Sequence, residues 1–148
     1  MITGDIEGVV VTPQKIIEVV GGDVFHAMKS DDPGYRGFGE AYFSTIEYGS
    51  IKAWKRHSVM TLNLVVPVGA VQFVIYDDRL GKTNSEVFQD VILSKENYCR
   101  LTVPPMVWLG FQGLDKDISV VLNMASIRHD PNESERKAVE EIKFDWRL

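Results

Sequence analysis

The chain is 148 residues long, 45% apolar and 25% charged, with a formal net charge of −5. That length predicts one domain over residues 1–148, and the apolar share excludes a disordered chain. The acidic balance leaves no footprint for nucleic acid or an anionic membrane, and the lone cysteine, Cys99, excludes an intramolecular disulfide and a cysteine-built zinc cluster.

From the N-terminus, "MITGDIEGVV" lacks the basic start and long apolar core of a signal peptide. No apolar run reaches the roughly 18 residues of a membrane span, so the expected location is cytoplasmic. Strands are expected in "GVVVTP", "KIIEVV", "EAYFSTIEY", "SIKAWKRH", "LNLVVP", "AVQFVIYDD", "EVFQDVILS", "NYCRLTVP", "VWLGFQG" and "ISVVLNMAS", where β-branched and aromatic residues cluster. Turns fall at "GGD", "DDPGYRG", "YGS", "PVG", "LGKTNS", "SKEN", "VPP", "GLDKD" and "HDPNES". Many short strands at fairly even spacing predict a closed barrel or a sandwich. One short helix is expected in "NESERKAVEEIK", capped by Asn132 or Ser134, with "FDWRL" packing back on the sheet.

The strand "SIKAWKRH" poses the sharpest question. On strict alternation Ile51, Ala53, Lys55 and His57 share one face, and Lys52, Trp54 and Arg56 the other. A lysine and a histidine among apolar neighbours mark either a solvated face or the wall of a pocket, and periodicity leaves both readings open.

Against a metal-cupin signature, the slots of the paired histidines, the acid and the glycine fall on Lys55, His57, Leu62 and Gly69, and those of the second motif on Pro104, Met106 and Leu109. A metal needs several convergent nitrogen or oxygen donors. Only His57 qualifies, so neither a metal nor another cofactor is expected.

Over about residues 35 to 146 the chain resembles the dTDP-4-dehydrorhamnose 3,5-epimerase family, metal-free cupins that act on sugar nucleotides. "GFGEAYFS" is similar to the family's early phenylalanine–glutamate–phenylalanine strand, and "GSIKAW" to its glycine–x–isoleucine–arginine–glycine run. "VGAVQFVIYDDR", the block from "LS" through "NY" to "RLTVPP" with the following "GF", and "HDPNESE" with "IKFDW" resemble its later segments in order. The resemblance implies an all-β cupin (jelly-roll) barrel, a nucleotide-sugar substrate, and a homodimer joined near its N-terminal strands.

The resemblance also implies a site. The slot of the family's catalytic histidine holds Lys55, that of its conserved lysine Leu62, and those nearest its acidic tyrosine Leu122 and Asn123. Epimerising beside a ketone needs a base for the α-proton and a group that stabilises the enolate. Lys55 and His57 are the implied catalytic pair. Burial eases a lysine's loss of its proton, so Lys55 serves either as base or as a cation against enolate or phosphate, while His57 suits a relay. Lys52 replaces an arginine that contacts phosphates, keeping a point charge without the bidentate fork.

Thr61 and Asn63 offer hydrogen bonds to sugar hydroxyls or are turn and edge residues; Trp108 stacks on a ligand or is core; Asn123 completes the implied substrate contacts. Asp78 and Arg79 read as a structural ion pair, and His129 as a residue packed near the final helix. The expected function is an epimerase or isomerase acting next to the ketone of a 4-keto-6-deoxy hexose. The alternative is a non-catalytic carbohydrate- or nucleotide-sugar-binding cupin, favoured by the loss of the family's histidine, lysine and tyrosine.

Overall fold

The computed structural model describes residues 2–79 and 87–148. The β-branched runs condense there into β1 (Ile2–Thr3), β2 (Val10–Pro13), β3 (Ile16–Ile17), β4 (Val24–Phe25), β5 (Glu40–Ile46), β6 (Ile51–His57), β7 (Leu62–Val68), β8 (Ala70–Asp77), β9 (Val87–Ser94), β10 (Cys99–Val103), β11 (Trp108–Gly113), β12 (Ser119–Ala125) and β13 (Ser134–Arg136). The expected turn at "LGKTNS" and Glu86, at the head of an expected strand, lie outside the described residues. A six-stranded sheet runs β1-β9-β8-β11-β6-β13 and a five-stranded sheet β2-β10-β7-β12-β5, with β3-β4 a separate ribbon.

Alternation packs the two large sheets face to face. Val71, Phe73 and Ile75 of β8, each fully buried, meet Leu64 and Val66 of β7, Leu101 of β10 and Val121 of β12 in one cluster. Each such side chain contributes about 1.5–3 kcal/mol by leaving water. Long-range neighbours such as β8 with β11 and β7 with β12 make the arrangement a jelly roll. Between β7 and β8 the chain turns at Gly69, where φ is +88° and a Cβ would meet Ser119 Oγ at 2.1 Å.

The outer faces are covered as well. Phe144 and Trp146 of the tail pack with Trp54, Val74, Tyr76, Phe88 and Trp108 on the outside of the six-stranded sheet, as expected for "FDWRL". Ile16, Phe25, Ala27 and Met28 cover Val65, Tyr98 and Met124 on the outside of the other sheet.

The expected C-terminal helix does not form. Ser134–Arg136 pairs antiparallel with β6 (Ser134 with His57, Glu135 with Arg56, Arg136 with Lys55), and only Val139–Glu141 winds into a single 3-10 turn. The open edge of β6 presents backbone donors and acceptors that a strand satisfies, whereas a helix this short is marginal in water. Asn132 and Ser134 therefore cap nothing. His129, with no helix to pack against, donates its N–H to Glu40 Oε1 at 2.7 Å. Arg79 pairs with Asp77 at 3.0 Å rather than with Asp78, which faces Arg56 at 3.6 Å.

Candidate active site

Between the two sheets lies a cavity of about 670 Å³. One wall comes from β6, β11 and the strand-turn segment 136–138; the other comes from β5, β7 and β12. Lys52, Lys55, His57, Arg136 and Lys137 line it, and among the described residues no carboxylate does. In a chain of net charge −5, a concave site lined by basic side chains without a carboxylate among the described residues concentrates positive potential and selects anions.

The phase of β6 differs from strict alternation. Against β11, Lys55 pairs with Leu109, Ala53 with Gly110 and Lys52 with Phe111, so Trp54 is an extra residue at a bulge. Residues directly opposite each other share a face, which puts Lys52 on the side of Lys55 rather than opposite it. Gly110 makes room: a Cβ there would meet Ala53 Cβ at 2.6 Å and a Trp146 ring carbon at 3.2 Å. Lys52 Nζ spans to the other sheet, donating to the Thr45 carbonyl at 2.7 Å.

Buried His57 is held by a carboxylate that does not line the cavity. Glu133 Oε1 lies 2.7 Å from His57 Nδ1, and Glu133 Oε2 accepts the N–H groups of Val59 and Met60 at 2.9 and 2.8 Å. Burial alone would raise the Glu133 pKa, but the bonds from His57, Met60 and Val59 outweigh it and hold the carboxyl below its usual range. His57 is pushed below the ordinary histidine value by burial, against the pull of Glu133, with Lys55 and His129 adding to the fall. A carboxylate only accepts, so Nδ1 carries the proton of the neutral ring and Nε2 keeps a free lone pair.

Lys55, half-buried, is lowered first by burial and then by Arg136, its partner across the β6–β13 ladder, with Glu133 and Glu40 opposing. Arg136 is exposed at the mouth.

Of the residues expected to bind substrate, Lys52 and Asn123 join Lys55 and His57 on the cavity. Thr61, Asn63 and Trp108 stand elsewhere. Leu62 and Leu64 take the inward positions of β7, so its alternation turns Asn63 away. Asn63 Nδ2 donates to the Gly34 carbonyl at 3.1 Å, and its Oδ1 accepts from Thr102 Oγ1 at 2.6 Å. Thr61 is buried, and its N–H donates to Ser126 Oγ at 2.9 Å. Trp108 is buried against the tail, with Arg56 at 4.6 Å and Lys137 at 5.1 Å from its ring.

Two site residues carry no readable signal in the sequence. Glu133 meets His57 across 76 positions, and no local pattern marks such a pair. Tyr42 lines the cavity from β5, its hydroxyl accepting from Asn123 Nδ2 at 2.8 Å. Among the described residues no three histidine, cysteine or acidic side chains converge as a metal site would need.

No profile of a known protein family matches the chain. The spore coat polysaccharide biosynthesis protein SpsL of Bacillus subtilis (strain 168) is 25% identical over 126 residues, 80% of this chain and 82% of that protein. The crystal structure of a dTDP sugar isomerase from Desulfovibrio desulfuricans G20 is 38% identical with a TM-score of 0.88, covering 95% of this chain and 91% of that one. The fold is also that of the dTDP-6-deoxy-D-glucose-3,5-epimerase RmlC from Legionella pneumophila Philadelphia 1 in complex with dTDP-4-keto-L-rhamnose, at 20% identity and a TM-score of 0.82, covering 99% and 82% of the two chains. The sugar 3,4-ketoisomerase QdtA from Thermoanaerobacterium thermosaccharolyticum shares the fold at 18% identity and a TM-score of 0.72, with 90% of each chain covered.

Proposed function

Because the chain belongs to the family of cupin dTDP-sugar isomerases and 3,5-epimerases, we propose that it is an epimerase or isomerase that abstracts the proton beside the ketone of a dTDP-linked 4-keto-6-deoxy hexose. The single observation that carries the reading is the cavity holding Lys55 and His57, lined by five basic side chains and, among the described residues, by no carboxylate. Its charge suits a nucleotide diphosphate, and its volume lies within the range of small-molecule sites.

In this reading His57 is the base. Glu133 fixes the ring with Nδ1 protonated, and Nε2 takes the α-proton, the arrangement by which a carboxylate orients an imidazole in other enzymes. Lys55 is the positive charge toward which the enolate oxygen develops, a preorganised electrostatic role that burial strengthens. Lys52 and Arg136 hold the diphosphate, with Arg136 offering the fork that a lysine lacks. Asn123 contacts the sugar. A homodimer paired along the open edge of β2, where Val10 and Val11 are exposed, completes the reading.

The test is hydrogen exchange at the carbon beside the ketone, followed in deuterated buffer with Lys55→Ala and His57→Ala. Each substitution is expected to lower the exchange rate by about 10²- to 10⁴-fold. Exchange at the full rate in both variants would remove these residues from the chemistry.

A further inference from the structure

Resting on the nucleotide-sugar reading above, we propose that Asn123 selects the substrate by a ring hydroxyl of its sugar, which donates a hydrogen bond to the amide Oδ1, and that Tyr42 is the residue that positions this amide.

The cavity divides by sheet into a charged wall and a neutral one. Lys52, Lys55, His57, Arg136 and Lys137 come from β6 or from the end of β13 and the residue after it. The facing wall is lined by Tyr42, Ser44, Leu62, Leu64, Val121 and Asn123. Burial is the main influence on the Tyr42 phenol and raises its pKa, so that wall stays uncharged. A diphosphate and an enolate oxygen belong with the cations. What a 6-deoxy hexose has left for the neutral wall is its hydroxyls and its methyl group.

Asn123 is 7% exposed, and the β5–β12 register sets it directly opposite Tyr42 on one face. Its Nδ2 donates to the Tyr42 phenol oxygen at 2.8 Å, which fixes the turn of the amide. Oδ1 has no hydrogen-bond partner among the described residues. Leu64, opposite Asn123 on the β7 side, offers only an apolar side chain. A buried amide oxygen without a donor is costly, and the great majority in folded proteins have one.

The donor is missing because the ligand brings it. In a 4-keto sugar nucleotide at neutral pH the diphosphate and the ketone only accept, whereas each ring hydroxyl donates. The thymine N–H also donates, but it lies a diphosphate away from the sugar that faces Lys55 and His57. A site built around a substrate hydroxyl rejects the analogue that lacks it, because the buried acceptor is then left unpaired. A hexose already stripped of that hydroxyl by a dehydration is therefore refused, which sets this protein ahead of any such step in a sequence of reactions.

The experiment is isothermal titration of the full chain as wild type, Asn123→Leu, Asn123→Asp and Tyr42→Phe. The ligands are dTDP-6-deoxy-D-glucose, which has no ketone to react, its 2-deoxy and 3-deoxy counterparts, and dTDP alone. Wild type is expected to bind the parent sugar about 10- to 100-fold more tightly than one of the deoxy counterparts. Asn123→Leu is expected to lose that preference while binding dTDP as wild type does, and Asn123→Asp, which keeps an acceptor, to retain it. Tyr42→Phe frees the amide to turn and is expected to narrow the preference at unchanged dTDP affinity. Equal affinity of wild type for all three sugars would overturn the proposal, as would a preference undiminished in Asn123→Leu. Loss of dTDP affinity in Asn123→Leu equal to its loss for the parent sugar would overturn it too, by assigning the amide to the nucleotide. If wild type shows the preference yet exchanges no proton beside the ketone of dTDP-4-keto-6-deoxy-D-glucose in deuterated water, the abstraction reading falls and selection by Asn123 stands. If no sugar nucleotide binds, both fall.

Discussion

Glu133 grips His57 from outside the cavity: Oε1 meets Nδ1 at 2.7 Å while Oε2 is fixed by the N–H groups of Val59 and Met60. The imidazole is thus held in one tautomer by a carboxylate that is itself immobilised. Glu133→Gln puts an amide in that place, which can donate to Nδ1 and so favour the wrong tautomer. Turnover is expected to fall by about 10²- to 10⁴-fold with KM little changed. Steady-state kinetics check this, and an unchanged kcat would show that the pair only holds the fold.

Acid should act on activity and stability together. His57 is lowered from 6.5, chiefly by burial, so its neutral form survives to lower pH than a solvated imidazole. The acid limb of kcat/KM is expected below the ordinary histidine value. Because the folded pKa is depressed, the stability His57 contributes is complete above 6.5 and is lost as pH falls through its folded value. Glu133, also lowered, adds a loss at more acid pH. Thermal unfolding between neutral and acid pH should show Tm falling below 6.5, with a shallower fall in His57→Gln.

Arg136 lines the mouth beside Lys55 on an exposed strand, so its loss should touch binding more than chemistry. Arg136→Ala is expected to raise KM for a nucleotide sugar about tenfold, the size of one charge-assisted hydrogen bond. Its kcat should stay near wild type, and added salt should narrow the difference. A variant with normal KM and depressed kcat would assign Arg136 to the reacting end instead.

Arg100 is fully buried and ties the segment before β5 to the barrel. Its Nη1 donates to the Ala27 carbonyl at 3.0 Å and to Asp32 Oδ2 at 3.1 Å, and its Nη2 to the Pro33 carbonyl at 2.7 Å. Arg100→Met leaves those acceptors unpaired. Asp32 is partly exposed and can recover water, so the expected loss is about 2–3 kcal/mol rather than the full cost of breaking a buried pair. Urea unfolding measures it; a stability equal to wild type would mean the segment is held by its apolar contacts alone.

β2, β3 and β5 to β12 were legible because their cues are local, Val, Ile and aromatic runs bounded by Gly, Pro and Asn, whereas the two-residue β1 and β4 fall outside every expected strand. β13 was not legible, because Glu135, Lys137 and Ala138 favour a helix and only the open edge of β6 makes a strand of their segment. Lys55 and His57 could be singled out as basic residues on an apolar strand. The same reading set Lys52 on the wrong face, because the bulge at Trp54 depends on Gly110 and Trp146, both distant in sequence. Tyr42 and Glu133 became site residues only through contacts spanning 81 and 76 positions. For Trp108 the sequence offered core or ligand contact, with core the commoner fate of an aromatic in a barrel, and the tail decides for core by covering it.

The central claim is that this cavity removes a proton beside a sugar ketone. The most direct measurement is proton NMR of dTDP-4-keto-6-deoxy-D-glucose in deuterated water with catalytic wild-type protein. The account predicts loss of the C3 or C5 proton signal with time. Ligand-induced shifts with both signals at full intensity would contradict it and leave a protein that binds nucleotide sugars without transforming them.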